Sequence, residues 1–170
     1  MAAFDFTATM DAIGKIFTRG LKRRIENQVG IDGAHYSYPK ASTLKRRKVG
    51  KIGTKRAAAV NIKRLHVTRD TANRGFGHTP DSSGVTIFVS SGDHMSANAT
   101  YRDIIRWNSR GQPVVNPYIV NPPLVFPTKE AEVNLMKAEM GEAGKKLHLD
   151  VVRQLREKGI VRAKVVLNIG

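Results

Sequence analysis

The residues of this chain able to do chemistry are five histidines, fourteen carboxylates and a dense run of lysine and arginine. His35, His66, His78, His94 and His148 are never three or four residues apart, the spacing that puts two ligands on one helical face. Asp93 precedes His94, and Asp70 lies four beyond His66, but neither pair has a third ligand in its segment. Each histidine is therefore expected at the surface, and a hydrolase using His66 and Asp70 is the enzymatic alternative. Gly50-Lys-Ile-Gly-Thr-Lys lacks the Gly-Lys-Ser/Thr order that sets a lysine beside bound phosphates. No Gly-x-Ser-x-Gly nucleophile elbow occurs, and the carboxylates form no evident acid/base pair. The sequence thus points away from an enzyme and names no cofactor or metal site.

The basic residues are another matter. Between Lys40 and Arg69 stand eleven Lys or Arg and not one Asp or Glu. Like charges at this density repel, so they must be spread into solvent or neutralised by an anionic partner. Lys45, Arg46, Arg47, Lys48, Lys51, Lys55, Arg56, Lys63 and Arg64 are the candidate contacts. One partner is a phosphate backbone, giving steep salt dependence and little base discrimination. The other is an acidic protein surface, where charge sets orientation and encounter rate. The net charge of +15 is lopsided, with 17 basic and 5 acidic residues in 1–80 against 12 and 9 in 81–170. One part of the molecule therefore meets a partner that the other does not. Aromatics make up only 6%, too few for broad base-stacking platforms.

Length limits the chain to one domain, 1–170, with its own core. The lack of cysteine removes disulfides, thiolate metal sites and cysteine nucleophiles, and fits a reducing cytosol. No apolar run approaches the roughly 20 residues that span a bilayer, so no membrane partner is expected. The start, Met1-Ala-Ala-Phe-Asp, lacks the pattern of a secretory signal.

The elements that must position these residues follow from periodicity. Met10, Ile13, Phe17, Leu21, Ile25 and Val29 recur every three or four residues and predict a first helix. Thr9 is its expected cap, Asp11 suits its positive end, and Gly30 its left-handed stop. Residues 40–60 read as a short basic helix from Pro39 followed by a long loop through Gly50 and Gly53. Leu65 and Val67 suggest a strand, as do Val85, Ile87 and Val89, with Asn73 to Gly84 connecting them. Tyr101, Ile104 and Ile105 suggest a helical turn. Five of seven prolines fall between Pro113 and Pro127, so 108–127 reads as an extended arm. Thr128 opens a long second helix with the stripe Val133, Met136, Met140, Leu147, Val151 and Leu155. Gly141 and Gly144 weaken its middle, where a kink is expected, and Lys158-Gly159 ends it. Val161, Ala163, Val165, Leu167 and Ile169 alternate with polar residues as a last strand. The sum is an α+β domain, an antiparallel or mixed sheet packed by an N-terminal and a long C-terminal helix with extended loops.

The succession from Gly30-Ile-Asp-Gly-Ala-His-Tyr-Ser-Tyr-Pro to Leu44-Lys-Arg-Arg-Lys resembles the loop and basic helix of tailed-bacteriophage virion morphogenesis proteins, the tail-completion and head–tail connector (neck) group. Arg64-Leu-His-Val-Thr-Arg-Asp, Gly84-Val-Thr-Ile-Phe-Val and Tyr101-Arg-Asp-Ile-Ile-Arg-Trp-Asn-Ser-Arg-Gly are similar to that family's next segments, in the same order. The likeness spans roughly residues 10–155 and rests on pattern and order, with no invariant catalytic motif. The chain departs from it at Arg69, where the family has glycine, at Asn121-Pro-Pro-Leu-Val-Phe-Pro, and in the added strand from Val161. The resemblance implies a non-enzymatic virion protein, assembled in the host cytoplasm into a homo-oligomeric ring. Its implied partners are other neck, connector or tail proteins and packaged double-stranded DNA. A ring needs one patch to meet a different patch on the next copy. The Gly50–Ala59 loop and the 108–127 arm are the candidates, with Trp107, Pro113, Pro117, Tyr118, Pro122, Pro123 and Phe126 as interface residues. The stand-alone alternative is a basic nucleic-acid-binding protein.

Overall fold

The computed structural model describes residues 4–36, 70–93, 99–110 and 124–159. They form helix α1 (Thr7–Asn27), a short helix α2 (Asp70–Arg74) and strands β1 (Phe76–Pro80) and β2 (Val85–Val89). Helix α3 (Tyr101–Arg110), a single turn α4 (Glu130–Val133) and helix α5 (Lys137–Glu157) follow. The class is α+β as expected, with one antiparallel two-stranded sheet among the described residues. The expected helix after Pro39, the loop at 49–59, the Leu65–Val67 strand and the strand from Val161 lie outside the described residues.

Helix α1 lies at the centre. Met10, Ile13, Phe17, Leu21 and Ile25 are buried, as their spacing requires. Its ends differ from expectation. Thr9 sits inside the helix; the cap position falls on Phe6, which makes no side-chain cap bond, and Asp5 just before it accepts the Thr7 N–H (2.9 Å) and hydroxyl (2.7 Å) through Oδ1. At the other end Gln28, and not Gly30, takes the left-handed conformation (φ 61°). Val29 has already left the helix to bridge His35.

The span 73–84, expected as a connection, instead holds the end of α2 and all of β1. Glycine and proline masked the strand, and its partner explains them. Gly77 pairs with Phe88, whose ring lies over it, and a Cβ at Gly77 would come 2.5 Å from Phe88 Cζ. Pro80 ends the strand where no ladder donor is needed. The hairpin turn is held by Asp81, whose Oδ1 accepts the N–H groups of Ser83 and Gly84 at 2.7 Å each. In β2 the expected alternation holds, with Val85, Ile87 and Val89 turned toward the core and Thr86 and Phe88 outward.

The predicted long helix from Thr128 is broken, though not at its glycines. Residues 134–136 interrupt it so that Met136, fully buried, can fill the core between α4 and α5. Burying a side chain of that size contributes about 1.5–3 kcal/mol, and turn bonds from the Leu135 and Met136 N–H groups to the Glu132 and Val133 carbonyls keep part of the backbone paired through the break. Helix α5 then runs through Gly141 and Gly144 and stops at Gly159 (φ +74°). It lies antiparallel to α1, since Glu139 meets Arg24 while Asp150 meets Thr9.

Two apolar clusters result. The larger joins Met10, Ile13, Phe17, Leu21, Ile31, Met136 and Ala143, with Val85 and Ile87 packed on it. The smaller joins Ile25, Ala72, Ile105 and Val125. Phe76 and Phe126 touch both and stack on each other with ring centres 5.9 Å apart.

Candidate functional site

The smaller cluster matters because of what is attached to it. Tyr36, the last described residue before 37–69, packs on this cluster. Ala72, two residues after the first described one, is buried in it. Ile105 in α3 and Val125 belong to it as well, and they flank 111–123. The described residues on either side of the basic stretch and of the proline-bearing stretch are therefore gathered around Ile25. The anchors are specific. Thr100 and Asp103 form a reciprocal cap at the start of α3, each accepting the other's backbone N–H at 3.2 Å. Buried Ser109 accepts the Val125 N–H at 3.0 Å, and Leu124 accepts the Ile31 N–H at 2.9 Å.

Lys45, Arg46, Arg47, Lys48, Lys51, Lys55, Arg56, Lys63 and Arg64 lie outside the described residues, as do Pro113, Pro117, Tyr118, Pro122 and Pro123. Trp107 is in α3, and its side chain is outside the described set. Phe126 is half-buried within its own chain against Phe76. His66 and His94 also lie outside the described residues, while His35 and His148 are exposed as expected. His78 is not a surface histidine. Its ring rests on Gly14 of α1, and its Nε2 lies 3.0 Å from Asp11 Oδ1, with Lys15 on the other carboxylate oxygen at 2.6 Å. The Lys15 and His78 hydrogen bonds, in that order, hold the Asp11 carboxyl below its ordinary range.

The carboxylates that matter most structurally escaped the sequence reading. Glu139 is 2% exposed, and both its oxygens meet the Arg24 guanidinium, one at 2.9 Å. It lies directly over Gly20, where a Cβ would come 2.7 Å from its Cγ and Cδ. Asp150, also buried, accepts the Thr9 hydroxyl, the Gln154 amide (3.0 Å) and the Arg153 guanidinium. Gln154 in turn donates to the Asp5 carbonyl at 2.8 Å. Glu139, Ala143, Asp150 and Gln154 recur at helical spacing, so α5 turns a partly polar stripe toward α1. That spacing was the available signal, obscured because the apolar stripe beside it draws the eye. These groups are saturated by each other and work as a clamp between α1 and α5.

No group of three or more His, Cys, Asp or Glu able to hold a metal occurs among the described residues. None of the described helices is long and apolar enough to cross a membrane. Compared with protein-family models, curated proteins and solved structures, the chain has no match.

Proposed function

We propose that this chain is a structural virion protein of a tailed bacteriophage, a neck or tail-completion subunit that assembles into a ring joining head and tail around the DNA path. The observation that carries the reading is the shared flanking cluster. Tyr36 and Ala72, on either side of the basic stretch 37–69, and Ile105 and Val125, on either side of the proline stretch 111–123, all pack with Ile25 of the helical scaffold. A subunit that meets DNA or an acidic neighbour at one end, and its next copy beside it, needs this division between scaffold and contact segments. The order of segments resembling virion morphogenesis proteins supports the same reading, and so does the concentration of positive charge in residues 40–69.

Electron microscopy of the purified protein at low and high salt, with and without phage connector or tail components, tests it. Discrete rings, or incorporation into particles, are expected. Tight binding of a monomer to nucleic acid, falling steeply with salt and with no higher oligomer, would instead mark a stand-alone nucleic-acid-binding protein.

A further inference from the structure

Where α1 ends and α5 begins, the surface is indented by a cavity of about 540 Å³. Arg23, Arg24, Asn27, Val29, Leu135 and Lys137 line it. Its positive charge is only partly answered. Arg24 is engaged bidentately by Glu139, while Arg23 reaches the same carboxylate only at 3.7 Å and its side chain is 60% exposed. Lys137 is exposed and makes no ion pair among the described residues. Two carboxylates, buried Glu139 and exposed Asp32, thus stand against two guanidinium groups and an ammonium, leaving a small positive excess. The remaining lining is aliphatic, and Leu135 is 41% exposed.

We infer that this cavity is a docking socket for an acidic and aliphatic segment of a partner protein. A carboxylate of the segment is received by Arg23 and Lys137, and an aliphatic side chain covers Leu135 and Val29. Charge complementarity and the apolar floor together select this occupant. A nucleic acid fits less well. With Asp32 and Glu139 set against Arg23, Arg24 and Lys137, the positive excess matches a single carboxylate and not a continuous run of phosphates, and no lining residue is aromatic to stack a base. The socket is built wholly from described residues, and it stands whether or not the ring reading does.

The test is fluorescence anisotropy of a labelled, end-blocked Ser-Glu-Leu-Glu-Leu-Glu-Ser peptide with the full chain at physiological ionic strength. The expected result is saturable binding that Arg23→Glu and Lys137→Glu each weaken about tenfold or more, as loss of a charge-assisted contact does. Lys146→Glu, an equal charge change far along α5, should leave it unchanged. Leu135→Ser and Lys137→Gln, both at exposed positions, repeat the test without charge reversal and should also weaken binding. The inference is overturned if the wild-type chain does not bind the peptide, or if a glutamine-for-glutamate peptide binds equally. It is likewise overturned if Lys146→Glu loses as much as Lys137→Glu, or if Arg23 and Lys137 serve only a duplex DNA probe.

Discussion

Gly20→Ala inverts the usual rule for a glycine inside a helix. Alanine in a helix interior is normally about 1 kcal/mol better than glycine. In α1 the added methyl would lie 2.7 Å from Glu139 Cγ and Cδ, so the carboxylate must move off its seat. Moving it separates a buried ion pair, a loss of roughly 3–5 kcal/mol. Arg24 keeps 17% of its side chain in solvent and recovers some hydration, which lowers the figure. The net expectation is a destabilisation of about 2 kcal/mol, near a 1 M fall in urea midpoint for a protein of this size. The decisive arm is the cycle. With Glu139→Ala already present the obstruction is gone, and Gly20→Ala should then stabilise by about 0.5–1 kcal/mol. Gly141→Ala, in α5 with nothing within 4 Å of its Cβ, should stabilise by a similar amount in either background. Urea unfolding followed by far-ultraviolet circular dichroism reads all six proteins. A stabilising Gly20→Ala in the wild-type chain, or strict additivity with Glu139→Ala, would refute the proposed seat.

Three further outcomes follow from the same contacts. Gly14→Ala would place a methyl 2.5 Å from His78 Cγ and 2.9 Å from its Cβ, atoms fixed to β1, so α1 and the hairpin must part. A loss of about 2–3 kcal/mol is expected in thermal unfolding, largely relieved by adding His78→Ala. The Thr9 hydroxyl, ahead of Gln154 and Arg153, holds the Asp150 carboxyl below its ordinary value against the opposing effect of burial. A depressed folded value means stability that is present above about pH 4 and is lost as pH falls through the folded value. Acid unfolding curves of wild type and Thr9→Val should therefore converge at low pH and separate above it. Ser109→Ala strands the Val125 N–H that it accepts, at a cost of about 1–3 kcal/mol. Hydrogen exchange at Val125 should accelerate, and ring formation should weaken if the 111–123 segment contributes to it.

The sequence by itself determined the α+β class, the apolar face of α1, the alternation of β2, the start of α3 near Tyr101 and the stop at Gly159. Each follows from a local period or a turn residue acting over a few neighbours. It also displayed the charge imbalance that motivates the functional reading, because charge is a property of composition. Only the tertiary structure decided the rest. Strand β1 was invisible because Gly77 is chosen by the Phe88 ring across the hairpin and not by its own neighbours. The helix break at 134–136 is set by the space that Met136 fills, and no local rule places a stop there. Glu139 and Asp150 looked like ordinary helix carboxylates. Their burial is bought by Arg24 and Thr9, 115 and 141 residues away, and separations of that kind are fixed only when α1 and α5 are laid antiparallel. The socket beside Lys137 exists for the same reason, since its walls belong to two helices that the chain brings together only on folding.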